Sequence, residues 1–543
     1  MKTQMRLHWL DIKLLINNMI CNKIFSVILL LLIGCLVLSS IIPPLKSPDE
    51  HDHIERAYLL GKGVVVLDRP DGKSSGGYID SGLLEYLYSY LPSQDKLSAE
   101  DFSSSGDITW SGQRVYDPSP GTGYYFPVIY LPQTLGLLVG EWFNLSVDHS
   151  YRVARTFALL AVMLILYTAF RLYPPNPLVL ALIVIPMTLF QISSASLDGI
   201  SAALAVFSIS AFLRIANDKD SSSKWVQYAL ALTIIVLGSS RIHTLPLLIL
   251  LAATFYYTKN MRSLLLFFSG TLFVFAWTFF ALKTTVDLRV PIGESTSNII
   301  THYLFHPTQF FSVVWQTLSN EGLQEFYYKS FFGILGWLDA SFQNRYYHYY
   351  LVIVVIVALL TVSFHRISDE WSQRLLLLAV FLISVLFIFF ALLVTWTPHP
   401  AQLISGVQGR YFLIPTIVLA YSVGGNRGLN GDNRRRIATL IVFFLFIFSL
   451  LATVDLLIKR YYLIENRVEP EVMEIGRDAS EKQLKMIANS PLSQNTPISL
   501  RLLELDENNL VKVTRVGIYF ASVPLSSSRQ SLLEPVRHLA VAC

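Results

Sequence analysis

The stretch SPDEHDHIERAY, residues 47–58, sets two adjacent carboxylates, Asp49 and Glu50, beside His51, Asp52, His53 and Arg56. A carboxylate in such company can take a proton from an incoming hydroxyl, and the neighbouring acids and imidazoles can tune its pKa or hold a divalent ion. At helical spacing Asp49, Asp52, His53 and Arg56 share one face. A plainer account is also available. Ser47 suits an N-cap, Pro48 the first helical position and Glu50 the capping-box site, so the acids could simply start a helix. The His51–His53 pair has no fixed third ligand. A divalent cation therefore stays open as a cofactor, and no metal site is assigned.

Four further motifs carry polar or aromatic chemistry. QISSASLDG, residues 191–199, joins two apolar runs and holds Gln191 and Asp198, the latter at the lip of a run where charge is costly. GSSRIHTLP, residues 238–246, holds Arg241 and His243. These cations need a partner, either an anionic lipid phosphate or a loop acid. SFFGILGWLD, residues 330–339, is glycine-rich and aromatic and contains Trp337 and Asp339. SGVQGRYFLIP, residues 405–415, places Gln408, Arg410 and Tyr411 among glycines that allow close backbone approach. An arginine there can clamp a phosphate through two parallel hydrogen bonds, or snorkel to headgroups.

The elements that must position these residues are apolar. Of 543 residues, 53% are hydrophobic and 15% charged, against ~25% charged in a soluble domain. Disorder, a collagen-like fibre and an ordinary soluble enzyme are excluded. The net charge of +4 gives no reason to expect a nucleic-acid partner, and Cys21, Cys35 and Cys543 form no disulfide framework. The first apolar run, 24–42, follows a basic leader with Lys2, Arg6, Lys13 and Lys23 and reads as an uncleaved anchor with a cytoplasmic N-terminus.

Further runs fall at 152–171, 177–192, 199–215, 225–239, 243–258, 263–283, 349–365, 374–395, 409–425 and 437–457. The expected fold is an all-α polytopic integral membrane protein with about eleven transmembrane helices. With the N-terminus inside, Arg171, Arg214, Lys219, Lys224, Lys259, Arg262, Arg366, Arg374, Arg427 and Arg434 to Arg436 all fall on cytoplasmic turns. The expected divisions are a cytoplasmic N-terminus (1–23), a membrane domain (24–458) with outer loops 43–151 and 284–348, and an extracytoplasmic tail (459–543) with a strand at VKVTRVGIYFASV. Segment 123–143 is apolar enough to mimic a span, but its prolines and Glu141 favour an interfacial helix. No charge sits near a span midpoint and no span reads as broken. This favours surface chemistry over passage through the bilayer.

Taken together, SPDEHDHIERAY, YFPVIYLP, QISSASLDG, FFGILGWLD and GVQGRYFLIP resemble the bacterial membrane proteins grouped as domain of unknown function 2142, over about residues 24–462. That group in turn looks related to the GT-C glycosyltransferases, whose first outer loop carries an acidic pair soon after the first span. The resemblance implies a GT-C-like fold in the bacterial inner membrane. It also implies a sugar donor on a polyprenyl phosphate, and transfer at the extracytoplasmic face to a glycan, lipid or protein acceptor. Asp49 would be the general base, with Glu50 as its neighbour or as the base itself. Arg241 stands where the family usually has lysine. By charge and placement, Arg410 and Arg241 would neutralise the leaving phosphate. His53, Arg56, Gln191, Asp198, Trp337, Asp339, Gln408 and Tyr411 complete the expected substrate site, with Trp337 and Tyr411 packing on a sugar ring or lipid chain. The alternatives are a flippase for lipid-linked saccharide and a non-catalytic scaffold for envelope polysaccharide assembly.

Overall fold

The computed structural model describes residues 23–90, 99–289, 292–363, 367–424, 433–463, 471–476, 498–505 and 511–519. The leader residues Lys2, Arg6 and Lys13, the turn residues Arg366 and Arg427, Cys21 and Cys543 lie outside them. Two compact units follow one another, Met1–Tyr462 and Leu463–Cys543.

The first unit opens with α1 (Lys23–Ile41) and α2 (Glu50–Gly61). A hairpin of β1 (Gly76–Asp80) and β2 (Arg114–Pro118) encloses α3 (Ser81–Ser89) and α4 (Ala99–Gly106), and α5 (Leu131–Trp142) follows. The bundle continues through α6 (Val147–Leu172), α7 (Pro177–Ile183), α8 (Pro186–Ile192), α9 (Leu197–Asp218), α10 (Lys224–Gly238), α11 (Leu248–Thr258) and α12 (Met261–Thr284). Then come three shorter helices, α13 (Thr296–Phe305), α14 (Pro307–Ser319) and α15 (Glu321–Phe332), and the two-residue strands β3 (Ile334–Leu335) and β4 (Ala340–Ser341). The unit ends with α16 (Asn344–Thr361), α17 (Ile367–Thr395), α18 (Leu413–Gly424) and α19 (Asn433–Leu457).

Among the described residues, seven helices are long and apolar enough to cross a membrane: α1, α6, α9, α12, α16, α17 and α19. The other four of the about eleven expected runs are shorter or broken helices. The apolar run at 225–239 is a helix of 15 residues, α10. The run at 243–258 is a 3-10 turn followed by the 11-residue α11, and the run at 409–425 is a 3-10 turn followed by the 12-residue α18.

The run at 177–192 is two helices, so the expectation of unbroken spans is corrected. Pro186 lacks an N–H and its ring collides with the carbonyl four residues earlier, that of Leu182. Thr188 Oγ1 donates to that freed carbonyl at 2.8 Å. Every side chain of α7 and α8 is buried. Their apolarity serves the protein interior rather than a lipid boundary, a distinction that hydropathy does not make.

Helix α9 is the centre of the bundle, with 89% of its apolar window buried, whereas α12 buries 17% and turns most of its surface outward. Segment 123–143 contains no helix long enough to span. It comprises two 3-10 turns (Pro120–Tyr124 and Pro127–Tyr130) and the 12-residue α5, ~18 Å long at 1.5 Å per residue. Helix α5 lies close on α6, because a side chain at Gly136 or Gly140 would collide with Ala154 or Ser150. It exposes Leu131, Leu135 and Trp142.

The second unit contains β5 (Glu471–Gly476), β6 (Ile498–Leu505) and β7 (Val511–Tyr519). Strand β6 pairs parallel to β5 and antiparallel to β7. The strand expected in VKVTRVGIYFASV is β7.

Candidate functional site

The chain between α1 and α2 bends so that Asp49, not Ser47, stands at the helix start. Asp49 adopts the left-handed conformation (φ 59°, ψ 11°), and its side chain caps nothing in the helix. For an L-residue this conformation costs ~1 kcal/mol, less for Asp than for most. Half of the expected capping box forms, since the Ser47 N–H donates to Glu50 Oε2 at 3.2 Å. The Asp49 carboxylate is instead freed to face Arg410.

Arg410 Nη2 donates to Asp49 Oδ2 at 2.9 Å, and Nη1 reaches Asp198 Oδ2 at 3.3 Å. Asp198 Oδ1 also pairs with Arg241, and Gln191 Nε2 donates to Asp198 Oδ2 at 3.0 Å. Five residues singled out in four separate motifs thus form one alternating chain, Asp49–Arg410–Asp198–Arg241, with Gln191 at its side. The guanidinium of Arg241 lies over the Tyr125 ring at 5.2 Å, and that of Arg410 over Tyr411 at 5.3 Å. Gly409 allows the approach of the Arg410 loop to α15, because a Cβ there would strike the backbone at Tyr327 and Phe331.

Exposure separates the members. The side chains of Arg410, Asp198 and Arg241 are 4%, 13% and 12% exposed, whereas that of Asp49 is 56% exposed. Asp49 is the end of the chain that a solute can reach. Withdrawal from bulk water pushes its carboxyl up. The charge of Arg410 and its hydrogen bond outweigh that and hold it below the ordinary carboxylate value.

Glu50 faces the other way. It is fully buried and accepts from Ser47 N, from Tyr151 Oη at 2.9 Å, from Ala195 N at 2.6 Å and from Arg155 Nη2 at 3.3 Å. Arg155 also donates to the carbonyls of Ser39, Ile42 and Pro43, closing the C-terminal end of α1. Glu50 therefore fixes α1, α2, α6 and the 193–196 turn around Asp49, and no incoming hydroxyl reaches it.

The remaining expected residues divide between the cluster and its supports. His53 Nδ1 is 2.9 Å from Tyr130 Oη, and burial pushes it down to about 4 against the pull of Asp49, so it stands neutral beside the cluster. His51 stacks on Trp337 at 5.1 Å, and its Nε2 meets Asp52 Oδ1 at 2.9 Å. Burial lowers its pKa, but the Asp52 hydrogen bond and the charges of Asp52 and Asp49 outweigh that and raise it. The two histidines therefore diverge. Among the described residues, no three His, Cys, Asp or Glu side chains converge as metal ligands.

Arg56 points away, to the carbonyls of Val64 and Val65, and the shared helix face of Asp49, Asp52, His53 and Arg56 does not form one site. Trp337 Nε1 donates to the Leu45 carbonyl at 2.9 Å. Asp339 accepts from Trp337 N at 2.9 Å and from Arg460 at 2.6 Å, which anchors the Trp337 turn to the helical turn Ile458–Tyr462 that follows α19. The Gln408 carbonyl accepts from Tyr411 N, and its side-chain Oε1 is a buried acceptor without a partner.

Sequence reasoning missed Arg155, Tyr151, Tyr125 and Arg289. Arg155 had a signal, as a cation set inside an apolar run, one turn past Arg152. Arg289 lies 3.6 Å from Asp52 and over the Trp396 ring, and nothing in its local sequence marks it.

A cavity of about 140 Å³ adjoins the cluster. Arg241, Tyr125 and Tyr411 line one part of it. Ala281 and Leu282 of α12 with Ala391 and Leu392 of α17 also line it, so one space has both a cation and apolar side chains in its wall.

Neither a curated protein nor a solved structure matches the chain. The family described as "Predicted membrane protein (DUF2142)" matches residues 30–420, and the chain belongs to that family of membrane proteins.

Proposed function

We propose that the protein is a membrane glycosyltransferase that moves a sugar from a polyprenyl-phosphate-type donor to an envelope acceptor at the extracytoplasmic face, with Asp49 as general base. The observation that carries this reading is the half-exposed Asp49 carboxylate, 2.9 Å from Arg410 and linked through Asp198 to Arg241, which lines a cavity with apolar walls from α12 and α17. A donor of this type has the matching polarity, an anionic phosphate joined to a hydrocarbon chain.

In the reaction, the acceptor hydroxyl attacks the anomeric carbon as the bond from that carbon to the phosphate oxygen breaks. The hydroxyl proton passes to Asp49. The departing phosphate gains negative charge, which preplaced guanidinium groups stabilise more than they stabilise the starting diester. A phosphate that takes up Arg410 also draws the guanidinium from Asp49. The Asp49 carboxyl then rises towards the range of a useful base.

Topology supports the same reading. Asp198 lies in the first turn of α9, and Arg214 lies 16 residues on, ~24 Å away along the axis. Arg171, Lys224, Lys259 and Arg262 likewise lie at the ends of their helices remote from the cluster. By the positive-inside rule those ends are cytoplasmic and the cluster is extracytoplasmic. A flippase would need a polar path, and the broken pair α7–α8 is wholly buried with its freed carbonyl satisfied by Thr188.

The test is to incubate the purified protein in nanodiscs with a panel of polyprenyl-phosphate sugars and membrane extract as acceptor. Release of polyprenyl phosphate coupled to a new glycoconjugate supports the reading. Movement of intact donor between leaflets without bond cleavage contradicts it.

A further inference from the structure

A second, larger cleft of about 380 Å³ opens between α13, α14 and the turn after α17. That is within the ~300–1,000 Å³ of ordinary ligand sites. Its polar lining comprises Glu294, His302, Gln309, Ser312 and His399, with Tyr303 as its aromatic wall, and no lysine or arginine lines it. His302 Nε2 and Gln309 Oε1 lie 2.6 Å apart, which leaves the Gln309 amide nitrogen to donate. His399 Nε2 meets the Leu393 carbonyl at 2.9 Å, which leaves Nδ1 to accept. Ser312 Oγ accepts from Gln316 at 3.4 Å and retains its own proton for a ligand. The Tyr303 ring is held edge-on by His302 at 5.1 Å and tilted against His399 at 5.9 Å.

Donors and acceptors thus alternate around an aromatic wall, with one carboxylate and no fixed cation. Such a lining suits a neutral polyol, in which each hydroxyl offers both a donor and an acceptor, and gives a phosphate no lysine or arginine to pair with. The Arg410–Arg241 cluster has the opposite character. Helix α14 also places the cleft. Val313, Val314 and Thr317 are buried, while Phe311, Trp315 and Leu318 expose an apolar stripe fit for the headgroup layer. Gln309, Ser312 and Gln316 share a separate polar face. Between them, Arg289 pairs by side chain with Asp52 of α2 at 3.6 Å and lies over Trp396, three residues before His399 of the cleft.

We propose that this cleft binds a neutral saccharide. Its further assignment as the acceptor's site rests on the transferase reading above.

Saturation-transfer NMR on the full chain in nanodiscs tests the proposal. The ligands are free glucose, galactose, mannose and N-acetylglucosamine, with inorganic phosphate alongside. At least one sugar should show transfer, about fivefold weaker in Gln309→Ala, as expected for one lost hydrogen bond, and absent in Ser312→Trp, which fills the cleft. Arg410→Lys should leave the sugar signal intact and weaken that of phosphate. The proposal is overturned if no sugar binds, if sugar binding survives Ser312→Trp in a protein of unchanged melting temperature, or if phosphate competes with the sugar. Failure of the two readings can be told apart. Sugar bound in the cleft with full transfer by Asp49→Asn removes the transferase and leaves the saccharide site. Transfer abolished in Asp49→Asn with no sugar in the cleft removes only the cleft.

Discussion

Arg410 and Asp49, 361 positions apart in sequence, meet at 2.9 Å through Nη2 and Oδ2, while the other arm of the same guanidinium holds Asp198. One rigid cation thus orients two acids, of which only Asp49 is open to a solute. Lysine has no planar fork and cannot make both contacts. Arg410→Lys should therefore raise the donor KM by about tenfold or more, given ~1.5–3 kcal/mol for a charged hydrogen bond. Steady-state kinetics in nanodiscs checks this. An unchanged KM would show that the fork does not position the donor.

Asp49 and Glu50 are neighbours with opposite duties. Glu50→Gln leaves Arg155 buried and uncompensated, and should cost ~3–5 kcal/mol of stability. Asp49→Asn keeps a residue that tolerates the left-handed backbone and should shift stability by less than ~1 kcal/mol. Thermal melting in detergent separates them, with a large fall for Glu50→Gln and a small one for Asp49→Asn.

The acid limb of activity should follow Asp49. Its folded pKa is depressed, chiefly because the charge of Arg410 outweighs the effect of withdrawal from water. The stabilisation from that pairing is complete above the unfolded carboxylate pKa and is lost as pH falls through the folded one. In Arg410→Gln the withdrawal from water stands uncompensated, so the acid limb of kcat/KM should move to higher pH. A pH–rate profile that is identical in the two proteins would remove Asp49 as the titrating base.

The apolar part of the cavity beside Arg241 makes a prediction about chain length. Ala391→Trp fills the space between α12 and α17. It should raise the KM for long-chain donors several-fold, at ~0.8 kcal/mol per buried methylene excluded, and leave a short-chain donor analogue unaffected. Equal effects on both would place the lipid chain elsewhere.

Much of the bundle was legible because hydropathy is local. Each apolar run became helix, and Gln191, Asp198, Arg241 and Arg410 were marked by sitting at the lips of those runs. What was not legible depends on three dimensions. The 177–192 run reads as one span, yet Pro186 breaks it and its burial in protein, not lipid, accounts for its composition. Glu50 looks as reactive as Asp49 in sequence. Only the fold shows four donors closing around one and solvent reaching the other. Arg56 lies on the right helix but turns to the Val64 and Val65 carbonyls, and Arg155 is hidden in an apolar run until the end of α1 is seen to need it.

The central claim is that Asp49 takes the proton in a sugar transfer, and the most direct measurement is glycan product and lipid-linked donor in cells carrying Asp49→Asn at wild-type membrane levels. Transfer should fall by ~10²–10⁴-fold, the usual worth of a general base, with intact donor accumulating at the extracytoplasmic leaflet. Wild-type product with no donor accumulation would contradict the account.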